Sequence, residues 1–470
     1  MTTPNCIVRY WLSLITCLFV LANAGLATEP FQDVTETIGL TGVGGGYAAW
    51  GDYNRDGWVD LTVDGQLWRN EQGQRFVRHE NTAFAGSGVW GDVDNDGDLD
   101  FFALAGLLYR NLDGDSFEEV PGAIPEMPKS PMNATWADTN NDGLIDLYVT
   151  GYEGGGYHPD FLFQNQGDST FEVILRGPAT PGRGVTACDY DEDGDIDLYV
   201  SNYRLVPNAL LQNDGNGVFN DVALAAKVDG DGGLGAWGHT IGSSWGDFDN
   251  DGHFDLFAGN FSHPPAYQDR PKFYRNLGKT ADWLFEDRSA AAGLHWQESY
   301  ASPTLGDFDN DGLLDLFFTT VYAGDQSVLY RNQGDWKFAN ATEASHLARP
   351  TTYQAAWADF NNDGFLDLLH GARLFKNPGG THRWLKVLVS GVGAVNQTAF
   401  GTQVRIRQEN TTLVRQVESA TGQGNQNDLT LHFGLGTHAG PVDVDIRWPD
   451  GTDQQIQGVA TNTLLRIQKE

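Results

Sequence analysis

Short apolar runs alternate with acidic stretches along most of this chain. Ala48-Ala49-Trp50-Gly51 leads into a polar stretch beginning at Asp52 and ending at Asp60, and the chain leaves it through Leu61-Thr62-Val63. Leu147-Tyr148-Val149 follows the third such stretch in the same way. Alternation with a period of two over a few residues predicts strands, so each acidic stretch is expected to join two strands of one sheet. The stretch itself is a fixed phrase, Asp-x-Asp/Asn-x-Asp-Gly-x-x-Asp. It occurs seven times, at Asp52–Asp60, Asp92–Asp100, Asp138–Asp146, Asp189–Asp197, Asp247–Asp255, Asp307–Asp315 and Asp359–Asp367. Successive copies start 40, 46, 51, 58, 60 and 52 residues apart, the spacing of a solenoid, propeller or array.

Two further phrases repeat with it. A Phe-led strand precedes each copy, at Phe31, Phe76, Phe117, Phe171, Phe219, Phe285 and Phe338, and a strand ending in Asn follows, at Asn70, Asn111, Asn165, Asn213, Asn276, Asn332 and Asn377. A tryptophan often stands two residues before the first aspartate (Trp50, Trp90, Trp136, Trp245 and Trp357), and its recurrence favours packing between units over sugar stacking. With the strands flanking the loop, each unit holds about four strands, and four-stranded sheets arranged radially make a propeller.

The acidic phrase has the spacing of a calcium loop. Side chains at positions 1, 3 and 5 converge only if the chain turns sharply, and the glycine at position 6 permits that turn. A backbone carbonyl at position 7 and the acid at position 9 then complete a shell of hard oxygens suited to Ca²⁺. No copy has the glutamate at position 12 that an EF-hand requires, and the flanks read as strands. The candidate ligands are Asp52, Asn54, Asp56 and Asp60; Asp92, Asp94, Asp96 and Asp100; Asp138, Asn140, Asp142 and Asp146; and Asp189, Asp191, Asp193 and Asp197. The last three copies add Asp247, Asp249, Asp251 and Asp255; Asp307, Asp309, Asp311 and Asp315; and Asp359, Asn361, Asp363 and Asp367. Up to seven Ca²⁺ ions, mainly structural, are expected.

Charge fits that reading. The chain of 470 residues has a formal net charge of −34, and 25 aspartates occupy the ligand positions. Such a balance excludes nucleic acid, which needs a basic footprint. The N-terminus reads as a secretory leader over residues 1–27. Arg9 is its only charge, Tyr10 to Ala22 is largely apolar, and Ala22-Asn23-Ala24 or Ala27 offers a cleavage site. That apolar core is shorter than the ~20 residues a membrane helix needs. Secretion to the extracellular space, periplasm or cell surface is the expected address. Cys6 and Cys17 leave with the leader, so Cys188 stands alone, without a disulfide framework, as a small packing residue.

The repeats between Phe31 and Asn377 resemble the FG-GAP/VCBS family of calcium-binding propeller repeats, found also in integrin α-chain heads. The resemblance implies an all-β, seven-bladed propeller with metal loops on the face opposite the usual ligand-binding loops. Asn54, Asn140 and Asn361 depart from the all-Asp pattern and imply weaker sites. Beyond Arg383 the phrase stops, and short strands at Trp384–Val389, Gln403–Arg407, Leu413–Val417, Leu429–Phe433, Val442–Trp448 and Leu464–Gln468 predict a small sandwich-like β-domain. Gly401-Thr402-Gln403-Val404, Leu431-His432-Phe433-Gly434-Leu435-Gly436 and Arg447-Trp448-Pro449-Asp450-Gly451 make this tail similar to the ASPIC/UnbV domain, which implies no established chemistry. The expected division is a propeller over 28–379 and the C-terminal domain over 380–470.

No nucleophile elbow, zinc-protease motif or P-loop is present. No catalytic residue and no organic cofactor is assigned. The function expected is a secreted calcium-binding module that recognises an extracellular polysaccharide or protein, with no membrane span. Two alternatives stand beside it. One is a calcium-dependent polysaccharide lyase using His239, His263 or Arg270 near the fifth loop, and the other is an envelope assembly protein docking through its tail. Irregular insertions at Gly151–Asp160, Asp229–Thr240 and Phe261–Arg270 are the places to look for a ligand site.

Overall fold

The computed structural model describes residues 30–114, 116–230, 237–262, 270–408 and 411–470. The leader, Cys6, Cys17, His263 and parts of two insertions lie outside the described residues. Seven four-stranded antiparallel sheets follow one another as blades. Blade 1 runs Ala48–Gly51, Asp60–Val63, Gln66–Glu71 and Arg75–Ala83. The first strands of blades 2 to 7 are Gly88–Gly91, Pro131–Ala137, Gly182–Cys188, His239–Gly246, Pro303–Gly306 and Ala355–Ala358. These seven strands neighbour one another in a closed ring around the axis. Blade 7 takes its fourth strand from the other end of the chain, where Gln32 pairs with Lys376 and Asp33 with Phe375. The protein is a seven-bladed β-propeller with a C-terminal β-domain.

Each acidic loop joins the first strand of its blade to the second, as its flanks predict. The second strands, however, are not half-buried. Asp60–Val63, Asp100–Ala103 and Asp146–Gly151 are buried at every position, because neighbouring blades cover both faces. The entry tryptophans are core residues between blades: Trp50, Trp90, Trp136 and Trp357 are each at most 2% exposed, and Trp90 stacks on Tyr53 of the preceding blade's loop. Cys188 is buried among these contacts, and burial pushes its thiol well above the usual range.

The asparagine that ends each third strand acts as a staple. Its side-chain amide donates to the carbonyl of the second residue in the preceding blade's acidic loop. The bonds are Asn111 to Tyr53, Asn165 to Val93, Asn213 to Thr139, Asn276 to Tyr190, Asn332 to Phe248 and Asn377 to Phe308, all 2.8–2.9 Å. Asn70 reaches Phe360 at 2.8 Å and so closes the circle between blades 1 and 7.

The C-terminal domain consists of two sheets. Leu431–Gly436, Arg383–Ser390 and Thr463–Gln468 form one, and Thr411–Gln416, Gln403–Gln408, Val442–Arg447 and Asp453–Val459 form the other. Asp453–Val459 is a strand the sequence did not announce, a polar edge in which Ile456 is the main apolar residue. The domain sits on the acidic-loop face: Thr398 accepts from the Asp92 amide, Gln403 donates to the Asp189 carbonyl, and His382 contacts the Asp309 carbonyl. A single apolar cluster runs from Trp136 and Phe163 in blade 3 to Phe400, Phe433 and Trp448 in the C-terminal domain.

Between these sheets, residues 416–428 leave the domain and thread the propeller channel. Gln416 bonds the Ala187 carbonyl and the Asp189 amide, Ser419 the backbone of Trp136, and Gln426 both the amide and the carbonyl of Trp90. Asn425 accepts from the Ala48 amide, Gly422 pairs with Ser243, Gln423 donates to Ser302, and Asn427 accepts from the Trp357 amide. Every blade therefore hydrogen-bonds to this segment. Inner-strand backbone groups that would face an open channel are paired instead, which removes a desolvation cost.

Candidate functional site

In all seven loops the local turn is built by the aspartates themselves. The position-1 carboxylate accepts the backbone N–H groups of positions 5 and 6; in the second loop, Asp92 accepts from Asp96 at 3.2 Å and Gly97 at 2.7 Å. The position-5 carboxylate accepts from position 7, as Asp96 does from Asp98 at 2.9 Å. The position-6 glycines lie at φ between +85° and +98°, where a side chain would be strained. Position 9 ties the loop to its own blade. Its Oδ1 accepts the backbone N–H of the staple asparagine in every copy, for example Asp315 from Asn332 at 2.8 Å.

Four loops bring three carboxylates within 4.8 Å of one another: Asp92, Asp94 and Asp96; Asp189, Asp191 and Asp197; Asp247, Asp249 and Asp251; and Asp307, Asp309 and Asp311. These clusters could hold metal ions. They are the four copies with aspartate at position 3, and in each that aspartate (Asp94, Asp191, Asp249 or Asp309) has a buried Oδ1 with no hydrogen-bond partner. A buried unpaired carboxylate oxygen is costly, and a cation at the centre of the cluster would satisfy it. Burial pushes Asp92 and Asp189 up to about 7 and Asp247 to about 8, with their loop neighbours adding repulsion. The residues therefore fit a divalent ion. Among the described residues the first, third and seventh loops do not bring three carboxylates together. There Asn140 and Asn361 each donate to the position-5 aspartate, Asp142 and Asp363.

Cationic side chains lean on the same loops. Arg331 binds Asp309 at 2.5 Å and Asp311 at 2.7 Å, and Arg275 binds Asp249 and Asp251 at 2.7 and 2.8 Å. From the C-terminal domain, Lys386 reaches Asp359 and Asn362, both at 2.9 Å, and is nearly buried. The acidic face is thus roofed by the tail. His239, a base considered for the fifth loop, begins the strand that this loop ends, about 23 Å away at the usual strand rise, so it does not meet that cluster. Arg270 lies at the same end as His239, its carbonyl accepting from Asn260.

The opposite face is open and holds a bowl of about 470 Å³ on the axis. Tyr152 and Tyr203 follow the second strands of blades 3 and 4, Phe261 ends that of blade 5 and Tyr322 lies just beyond that of blade 6; with Tyr353 they form its wall. Ring centroids are 6.3 Å apart for Tyr152–Tyr203, 5.9 Å for Tyr203–Phe261 and 5.0 Å for Phe261–Tyr322. The tip of the channel segment lies behind Arg183, whose guanidinium donates to Gln423. The aromatic that follows the ninth-position aspartate by six or seven residues was the available signal. Blades 1, 2 and 7 lack it, so it does not stand out as a repeat.

A seven-bladed propeller with acidic loops under a docked β-domain defines the class. The FG-GAP-like repeat model matches residues 138–200, 189–258, 247–318 and 307–370, and the ASPIC and UnbV model matches residues 392–470. The chain belongs to the FG-GAP-like repeat proteins that carry a C-terminal ASPIC and UnbV domain. It is 26% identical over 368 residues to Cartilage acidic protein 1 of Mus musculus, covering 70% of this chain and 53% of that protein. The Xenopus tropicalis protein of that name is 25% identical over 413 residues, covering 80% and 59%. The chain spans about half the length of these curated relatives. Among solved structures, an Agrocybe aegerita lectin that recognises non-reducing terminal N-acetylglucosamine matches at a TM-score of 0.41 and 16% identity, covering 63% of this chain and 79% of that one. Rhamnogalacturonan lyase YesW matches at 0.39 and 14%, covering 71% and 72%. Among the described residues no helix is long and apolar enough to cross a membrane.

Proposed function

We propose that this protein is a secreted calcium-binding module that recognises an extracellular polysaccharide or protein through the open face of its propeller. The observation that carries the reading is the division of the two faces. The carboxylate clusters lie in the loops beneath the C-terminal domain, where an ion stabilises rather than presents a ligand, while the aromatic bowl opposite is exposed. The ligands proposed for Ca²⁺ are the position 1, 3, 5 and 9 side chains of the loops, with the four three-carboxylate clusters binding most strongly. Bound calcium would supply charge neutralisation and fix the turns against the domain above them. At millimolar Ca²⁺ and a Kd of about 10⁻⁴–10⁻³ M, each filled site adds roughly 0.4–1.4 kcal/mol.

The test is affinity electrophoresis of the mature chain through gels of different polysaccharides with calcium, alongside melting curves with and without EDTA. Retarded migration over intact polymer, and several degrees of Tm lost in EDTA, are the expected results. A cleared track would replace the binding module with an enzyme. A melting temperature indifferent to EDTA would remove calcium from the account.

A further inference from the structure

Arg183 is an unusual charge among the described residues. It stands at the start of the inner strand of blade 4 and is 8% exposed. Three tyrosine rings surround its guanidinium, Tyr152 at 4.9 Å and Tyr203 and Tyr353 at 5.5 Å each. One terminal nitrogen donates to Gln423 Oε1 at 3.2 Å, the other to the Tyr152 hydroxyl at 3.4 Å, and Nε is buried without a partner. Among the described residues no carboxylate pairs with it. Glu153, which accepts from the same Tyr152 hydroxyl, is held bidentately by Arg204 at 2.8 and 3.0 Å. A buried cation without a counter-charge is unfavourable, and aromatic faces compensate it only in part. This cation lines an open bowl rather than a closed core.

We propose that the bowl is a saccharide site in which Arg183 holds the carboxylate of a terminal uronosyl residue while the tyrosines stack on its ring. The inference rests on the reading of the protein as a binding module and names the ligand class. One unmatched positive charge calls for one carboxylate, and a guanidinium fork suits that group's geometry. Flat aromatic walls with hydroxyl rims suit the C–H face and the hydroxyl edge of a pyranose. The channel segment, whose Gln423 accepts from Arg183 and donates to Ser302, fills the way through the propeller and so restricts entry to a chain end, and the bowl's volume accommodates one or two sugar rings. A single arginine in a chain of net charge −34 is unsuited to lying along a polyanion, which needs a basic stripe.

The experiment uses the full mature chain in calcium and ligand-observed NMR titration with the methyl glycosides of galacturonate and glucuronate. Their methyl esters and the corresponding neutral glycosides are titrated beside them. At least one acid is expected to bind tenfold or more tightly than its ester and its neutral counterpart. Arg183→Gln, which can still bond Tyr152, should abolish that preference, and Tyr322→Ala should weaken acid and ester alike. Equal affinity for acid and ester, no binding of either acid, or a preference that survives Arg183→Gln would overturn the inference. If Arg183→Gln does not fold, the acid-to-ester ratio on the unaltered chain decides. Retention by a neutral polymer or a protein without acid preference would sink the uronate assignment and leave the binding module standing. Retention by no polymer and no protein would sink both.

Discussion

Asn332→Ala is expected to lower the melting temperature by roughly 3–5 °C. The Asn332 amide donates to Phe248 at 2.9 Å and Leu314 at 3.1 Å, and its oxygen accepts from Gly334 at 2.9 Å. The side chain is 1% exposed, so its removal strands two carbonyls and one N–H away from water. At about 1–1.5 kcal/mol for each buried group left unpaired, the loss is ~3–4.5 kcal/mol. An unfolding entropy of about 2.1 cal/mol/K per residue gives roughly 0.9 kcal/mol/K for a chain of this size, hence about 1 °C per kcal/mol. The measurement is differential scanning calorimetry in saturating calcium, with Asn216→Ala, an exposed turn residue, as control. Asn332→Asp should fall further than the alanine, because a carboxylate would face the same two carbonyls. An Asn332→Ala shift as small as that of Asn216→Ala would refute the claim that these asparagines hold the blades together.

Asp160 gives a pH prediction independent of any metal. Burial pushes its carboxyl up to about 7, although it accepts from Gly151 and Tyr148. A raised folded-state value means its contribution is full below about pH 4 and lost as pH rises through 7. Asp160→Asn should therefore gain on the parent chain between pH 4 and 8, by up to about 4 kcal/mol, read from paired melts across that range; a flat difference would refute it. Gly424→Ala places a Cβ 2.4 Å from the Tyr47 ring at φ +71°, and should cost roughly 2–4 kcal/mol and expose the channel segment to protease. Cys188 should react with Ellman's reagent only after denaturation, since its thiol is buried and its ionisation suppressed; prompt labelling of the native chain would contradict that packing.

The parts legible in the sequence are those whose partners lie nearby in the chain. A metal loop closes within nine residues, so Asp92 to Asp100 declares itself. The Phe, Trp and Asn phrases mark blade strands because they repeat. Their periodicity did not reveal that the second strands are buried on both faces, since burial is decided by the neighbouring blades. The channel segment was illegible for a different reason. Thr421-Gly422-Gln423-Gly424-Asn425-Gln426-Asn427 reads as a polar turn, and its partners are mostly backbone groups and small hydroxyls of inner strands, which carry no side-chain signal. The staple role of Asn70 and its six counterparts was hidden likewise, because each one's target is a carbonyl. The Arg183 bowl combines blades 3 to 6 with the segments that enter blades 1 and 7, and no single repeat contains it.

The threaded channel also sets an order of events for a newly made chain. Asn425 meets Ala48 across 377 positions, and Gln32 meets Lys376 to shut the ring. Early blades can collapse as they emerge, but their inner strands stay without partners until residues 416–428 have been made. A fragment ending at Asn377 could close its circle and would still lack the channel segment. Contacts this distant in sequence make the final step slow, because the chain between them must be ordered first. A segment made only after all seven blades is therefore the one that finishes the first blade.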